Sequence, residues 1–121
     1  MGYYDGREPD VTIDVLGTEY SIYMNVPQTE DKILDRIDGY CDKTVKRIVI
    51  AKMTDECNLG DQLEYVKYVV RHELIHAFLF ESGIGGDTKW DIGDEHPEHM
   101  VEWIAMQFSK IQKAYETLGV I

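Results

Sequence analysis

Apolar and polar residues alternate along two neighbouring stretches near the start of the chain. Residues 11–16 alternate in this way, and a Gly-Thr pair follows them, which is typical of a strand and a turn. Tyr20, Ile22 and Met24 then place apolar side chains on one face of a second strand, and Pro27 ends it. The pattern therefore predicts a β-hairpin.

The next part of the chain predicts a short helix and a second hairpin. The run Thr-Glu-Asp-Lys at residues 29–32 resembles the acidic first turn of a helix, and Gly39 limits its length. A polar turn at residues 42–44 then precedes residues 46–51, which are mainly β-branched and apolar. Such a run favours a strand. We expect it to pair with the short stretch that begins at Gly39.

Two helices are predicted in the second half of the chain. Apolar residues recur at three- and four-residue spacings over residues 61–82, and Gly83 stands where a glycine commonly ends a helix. Residues 83–96 contain four glycines and no periodicity, which predicts a loop that is either the rim of a site or a mobile surface segment. Pro97 suits the start of a second helix that runs to about Leu118. Its apolar stripe comprises Val101, Ile104, Ala105, Phe108, Ile111 and Tyr115.

Composition places these elements in a soluble α+β protein. The chain has 121 residues, of which 44% are hydrophobic and 29% are charged, so it can form one domain over residues 1–121 with a core of its own. Residues 1–10 are expected to be loosely ordered. No apolar run approaches the roughly 18 residues that span a membrane, and the start lacks the apolar core of a signal peptide. A cytoplasmic protein is therefore expected.

Charge and cysteine content exclude further classes of function. The formal net charge is −11, which repels phosphate backbones and disfavours a nucleic-acid partner. Such a surface is compatible with a basic protein partner. Cys41 and Cys57 form no C-x-x-C pair, so we expect both to be reduced and partly buried rather than catalytic.

The clearest chemical signal is the run H-E-L-I-H at residues 72–76, which lies within the first predicted helix. Its two histidines are four residues apart and share one helix face. Neutral imidazoles at that spacing can hold one zinc ion, while a third ligand and a water complete the tetrahedron. Glu73 would lie beside the metal and act as general base on that water. The alternative interpretation is a partly solvated stripe on an ordinary helix.

The third ligand is sought in the second predicted helix, where Glu98, His99 and Glu102 are candidates. Glu98 falls in the first turn, where the helix dipole already favours an acidic residue. Glu102 lies deeper and beside the apolar stripe, where an unpaired carboxylate is costly and coordination would offset the cost. We therefore predict that His72, His76 and Glu102 bind the metal, with Glu98 as the alternative to Glu102.

Glu102 also begins the run E-x-x-A-x-x-F. Together with H-E-x-x-H, this run resembles the ImmA/IrrE family of metallopeptidases, particularly the short single-domain versions of phages and mobile elements. The resemblance covers roughly residues 36–112. It implies a gluzincin-like zinc site in which His72, His76 and Glu102 are ligands and Glu73 is the base. It also implies a minimal zincin-like domain, with a small, mainly antiparallel sheet packed on the H-E-x-x-H helix and a C-terminal ligand helix.

The chain departs from the family pattern in three places. Met106 follows the alanine where asparagine is usual, and Ile75 precedes the second histidine where a small residue is common. The helix–turn–helix domain that many relatives carry is missing from this sequence. The first two departures change little about the metal ligands, and the third removes a built-in DNA-targeting role.

The expected function is therefore hydrolysis of a peptide bond by a zinc-dependent endopeptidase. The resemblance implies a protein substrate, such as a phage or mobile-element repressor. Tyr40, His96 and His99 are candidate donors to the developing oxyanion. An exposed edge of the strand at residues 46–51 could hold the substrate as an added strand. The rival hypothesis is a catalytically silent metal-binding protein that acts by binding a partner, and the intact Glu73 argues against it.

Overall fold

The computed structural model describes residues 2–54, 60–83 and 98–121. These contain four strands, two short 3₁₀ turns and two α-helices. The strands are β1 (Val11–Val15), β2 (Thr18–Val26), β3 (Gly39–Asp42) and β4 (Arg47–Ala51), the 3₁₀ turns span Gln28–Glu30 and Lys32–Asp35, and the helices are α1 (Gln62–Glu81) and α2 (Glu98–Leu118). The predicted α+β class is confirmed. The loop predicted after Gly83, together with Cys57, His96 and Pro97, lies outside the described residues.

The four strands form one mixed sheet in the order β1-β2-β4-β3. Both predicted hairpins are present, because β1 pairs antiparallel with β2 and β3 pairs antiparallel with β4. The two hairpins join through a parallel pairing of β2 with β4. The expectation of an exposed edge at residues 46–51 is wrong, since β4 has a neighbour on each side. The physical reason is that Ile48, Val49 and Ile50 are apolar on both faces and fully buried, as in the interior of a sheet.

Alternate residues of β4 divide the core between the two faces of the sheet. Ile48 and Ile50 pack in one cluster with Val69 and Ala77 of α1. Val49 lies in the cluster on the opposite face, with Leu34 from the second 3₁₀ turn. Helix α1 therefore covers one face, and the N-terminal segment and the 3₁₀ turns cover the other.

The N-terminal segment, residues 2–10, forms neither helix nor strand, but hydrogen bonds join it to the 3₁₀ turns and to the sheet. The hydroxyl of Tyr4 donates to Asp31 at 2.6 Å, and the hydroxyl of Tyr23 donates to the carbonyl of Arg7 at 3.0 Å. The short helix expected near residue 30 instead forms the two 3₁₀ turns. Asp31 lies between them in an extended conformation and caps the second through the N–H of Ile33, which prevents a continuous helix.

The two α-helices begin and end close to the predicted residues. The side chain of Asp61 accepts a hydrogen bond from the N–H of Glu64 at 3.0 Å and caps the start of α1. Gly83 and Gly119 follow the two helices at φ +88° and +70°, where glycine is favoured over other residues. No helix among the described residues is long and apolar enough to cross a membrane.

Gly39 allows β3 to lie very close to α1. A Cβ at this position would stand 2.8 Å from the Val69 Cγ1 and 3.1 Å from the carbonyl oxygen of Val49. We expect Gly39→Ala to lower the free energy of unfolding by about 1–3 kcal/mol, because a packed side chain and a backbone atom must both move. Urea unfolding would measure it. Gly60→Ala is the control, since no atom of the described residues lies within 4 Å of its Cβ position. Equal midpoints for the two variants would contradict the close packing.

Candidate metal centre

The H-E-x-x-H run lies in the middle of α1 and faces a cleft. Glu73 and His76 are the buried polar or charged side chains of the described residues, at 8% and 7% exposure, and His72 is half-buried. The rings of His72 and His76 have centroids 5.1 Å apart, as their shared helix face requires. The burial does not fit a solvated surface stripe, because buried polar groups of this kind need partners.

Glu98, the first residue of α2, reaches both imidazoles. Its Oε2 lies 2.9 Å from the Nε2 of His72, and its Oε1 lies 3.0 Å from the Nε2 of His76. One ligand atom from each of the three residues falls within 4.8 Å of the others. Two imidazole nitrogens and one carboxylate are a donor set that suits a catalytic zinc ion. The three side chains could therefore hold a divalent metal with one position left open.

Glu102 lies one turn further along α2 and lines the same cleft. Its Oε1 accepts a hydrogen bond of 3.2 Å from the hydroxyl of Tyr68. The structure thus brings Glu98, and not Glu102, against the imidazoles. Glu102 is exposed, whereas Val101 and Ala105 form the buried side of α2. Which glutamate coordinates a metal stays a prediction, and this geometry supports Glu98.

The pKa of His76 follows from its surroundings. Burial lowers the pKa of His76, and the neighbouring His72 lowers it further while Glu98 opposes both. A neutral imidazole is the form that binds a metal.

Burial, and next the Glu73 carboxylate, raise the pKa of the free thiol of Cys41 to about 12. This half-buried cysteine is therefore neither an activated nucleophile nor a ready thiolate ligand.

The cleft has a volume of about 620 Å³ and lies between β3, α1 and the start of α2. Two tyrosines of α1 line it, and each donates its hydroxyl to a carboxylate. Tyr65 pairs with Asp38 and Tyr68 pairs with Glu102. Tyr68 was missed in the sequence, although it precedes His72 by four residues and so must share its helix face.

The oxyanion donors expected from the sequence are Tyr40, His96 and His99, and none of them is placed by the structure beside the two imidazoles in its described part. The hydroxyl of Tyr40 donates to Asp31, and the side chain packs with Tyr4 and Val49 on the face of the sheet opposite α1. Burial raises its pKa to about 12, so this hydrogen bond persists at neutral pH. His99 is exposed on α2, and His96 is not among the described residues.

The open side of β3 runs along the cleft. Within the part of the chain that the structure describes, β3 pairs only with β4. The N–H of Ala51 donates to the carbonyl of Asp38 at 2.9 Å. Because hydrogen-bonded pairs alternate along antiparallel strands, Tyr40 also bonds toward β4. The N–H and C=O groups of Gly39 and Cys41 therefore point to the open edge, where an extended peptide could pair with them.

Comparisons with known proteins found no relative of this chain. No protein-family model matches it, and neither the curated proteins nor the solved structures gives a match. The functional interpretation therefore depends on the chain's own geometry and on the motifs of its sequence.

Proposed function

We propose that the chain is a zinc-dependent metallo-endopeptidase whose metal ligands are His72, His76 and Glu98. The observation that carries this proposal is the convergence of two imidazole nitrogens on one carboxylate, at 2.9 and 3.0 Å. A buried glutamate, Glu73, stands next to the first of these histidines in the chain. Catalytic zinc sites combine three such ligands with a water in the fourth position, and the water needs a base.

Each residue near the metal then has a chemical role. When bound, zinc supplies the Lewis acidity that makes a water acidic near neutral pH and polarises a substrate carbonyl. Glu73 would accept the proton of that water and later pass it to the nitrogen of the leaving amine. His72, His76 and Glu98 would hold the metal at the wall of the cleft, where the substrate can reach it.

The edge of β3 supports a peptide as the substrate. An extended segment could add to the sheet there through the backbone groups of Gly39 and Cys41, which gives affinity without demanding a particular sequence. β3 lies beside α1, so such a segment would pass the metal ligands within the same cleft. The resemblance to the ImmA/IrrE family makes a repressor of a phage or mobile element the first candidate substrate.

Tyr68 is the residue that we propose as donor to the oxyanion. Burial, followed by the hydrogen bond to Glu102, raises its pKa, so its hydroxyl keeps its proton at neutral pH. We expect Tyr68→Phe to lower kcat by roughly 10²–10³-fold, as the loss of one oxyanion donor does elsewhere, with zinc binding unchanged. Tyr65→Phe is the matched control, since that hydroxyl pairs with Asp38 instead. A Tyr68→Phe enzyme that keeps the wild-type kcat would exclude this role.

A cleavage assay tests the proposed function itself. The purified chain, loaded with zinc, would be incubated with an unfolded protein and a peptide library, and mass spectrometry would identify new termini. We expect cleavage that stops when 1,10-phenanthroline removes the metal and returns when zinc is restored. If the zinc-loaded chain and its Glu73→Gln variant give the same termini, the proposal is wrong.

A further inference from the structure

The C-terminal half of α2 projects beyond α1. The two helices run antiparallel, since Glu98 contacts His76 and Glu102 contacts Tyr68, eight residues earlier in α1. At 1.5 Å per residue in both helices, near-parallel axes would bring α2 past the first residue of α1 at about position 110. Residues 112–121 are all exposed, which agrees with a projecting end.

An apolar stripe continues along this projecting end. Phe108, Tyr115 and Leu118 are 55%, 48% and 73% exposed, and Ile111 is half-buried. The stripe continues the spacing that starts in the core, with alternating steps of three and four residues. Its members are Val101, Ile104, Phe108, Ile111, Tyr115 and Leu118. This spacing matches the a and d positions of a heptad repeat, which are the apolar positions of a helix that pairs with another helix.

The exposed end of α2 would be stabilised by a packed neighbour. Helical segments shorter than roughly 12–15 residues are marginal in water, and most helical stability comes from packing of an apolar face. From Phe108 to Leu118 the described residues leave the apolar face of the helix largely exposed. A second helix with the same spacing of apolar residues would cover it.

We propose that this stripe pairs antiparallel with the same stripe of a second copy of the chain. The positions that flank it in the heptad pattern are uncharged. They are Ala105, Gln107, Gln112 and Ala114. Residues 103–121 contain two lysines and one glutamate, a net charge of +1, within a chain of net charge −11. An antiparallel pair places the two acidic bodies at opposite ends, whereas a parallel pair would hold them side by side against their repulsion.

The area of the interface sets the expected affinity. Aromatic side chains bury roughly 150–250 Å² each, and about half of this surface is open on Phe108 and Tyr115. With Ile111 and Leu118, two copies would cover roughly 700–900 Å², which is below the standard size of a specific interface and typical of a weak association. The dimer is therefore reversible and depends on concentration. It does not depend on the proposed metal site, because Glu98 lies at the other end of α2.

Sedimentation equilibrium of the full chain tests the pairing. Between about 1 and 300 µM, the average mass should rise from 14.0 kDa toward that of a dimer. Tyr115→Glu should raise the dissociation constant at least about tenfold. Trp103→Glu, at a 59% exposed position off the stripe, should leave it unchanged. A wild-type chain that stays monomeric throughout, or two variants that behave alike, would overturn the proposal.

Cysteine crosslinking tests the orientation. In a chain with Cys41 and Cys57 replaced by alanine, an antiparallel pair centred near position 113 places residue 111 of one copy opposite residue 115 of the other. The double variant Ile111→Cys, Tyr115→Cys should form a disulfide-linked dimer, and Tyr115→Cys alone should not. Efficient crosslinking of the single variant would show a parallel pair and overturn the proposed orientation.

Discussion

Replacing Glu73 with glutamine is expected to abolish peptide cleavage while leaving the metal and the fold in place. Glutamine has almost the same shape and keeps a hydrogen-bonding oxygen, but it cannot accept a proton from water. General bases contribute roughly 10²–10⁴-fold to rates, so kcat should fall by at least that factor. Zinc affinity should not change, because the converging ligand atoms belong to His72, His76 and Glu98.

The measurement is single-turnover cleavage of a substrate found in the library assay, combined with zinc content and circular dichroism. Glu64→Gln is the matched control, since Glu64 is an exposed residue near the start of the same helix. The rival hypothesis of a catalytically silent metal-binding protein gives the opposite result. Under that hypothesis the Glu73→Gln variant would keep the full biological effect of the wild type.

Removing the Glu98 carboxylate is expected to cost most of the metal affinity. Glu98→Ala removes one of three proposed ligands. Residues that only hydrogen-bond a metal ligand contribute roughly 10–100-fold to metal affinity, so the loss of affinity in this variant should be larger. Glu102→Ala should keep the metal, because the carboxylate it removes pairs with Tyr68. It should change kcat only modestly, because Tyr68 has to release Glu102 before its single hydroxyl proton can reach the oxyanion.

Calorimetric titration with zinc at neutral pH compares these two variants with the wild type. The variants form a matched pair, because both remove a glutamate from the same helix at the edge of the same cleft. If Glu102→Ala loses the metal and Glu98→Ala keeps it, the ligand set is the one that the sequence motif implied. In that case the contact of Glu98 with the imidazoles is an ion pair only.

The elements of the fold could be predicted because their signals are local. The hairpins follow from alternation over a few residues, and α1 follows from its periodicity together with Asp61 and Gly83 at its ends. The shared face of His72 and His76 needs only the geometry of one helix. The same geometry applies to Tyr68, because its position four residues before His72 is enough to place it on the face of the two histidines.

The remaining features depend on contacts between distant segments. No local sequence pattern indicates that β2 pairs in parallel with β4. The sequence therefore predicts an open edge at β4, whereas the structure has it at β3. The choice between Glu98 and Glu102 depends on where α2 crosses α1, which periodicity cannot supply. The face of the sheet that Tyr40 occupies likewise follows from the register of β3 on β4.

A zinc-edge anomalous diffraction map of the crystallised, zinc-loaded chain would show directly whether these residues bind zinc. We expect one zinc per chain at the wall of the cleft, bound by the Nε2 atoms of His72 and His76 at about 2.0–2.1 Å and by Glu98 at about 2.0–2.2 Å, with a water completing the tetrahedron. A well-folded chain with no zinc at these residues, or a zinc closed off by four protein ligands, would contradict this expectation.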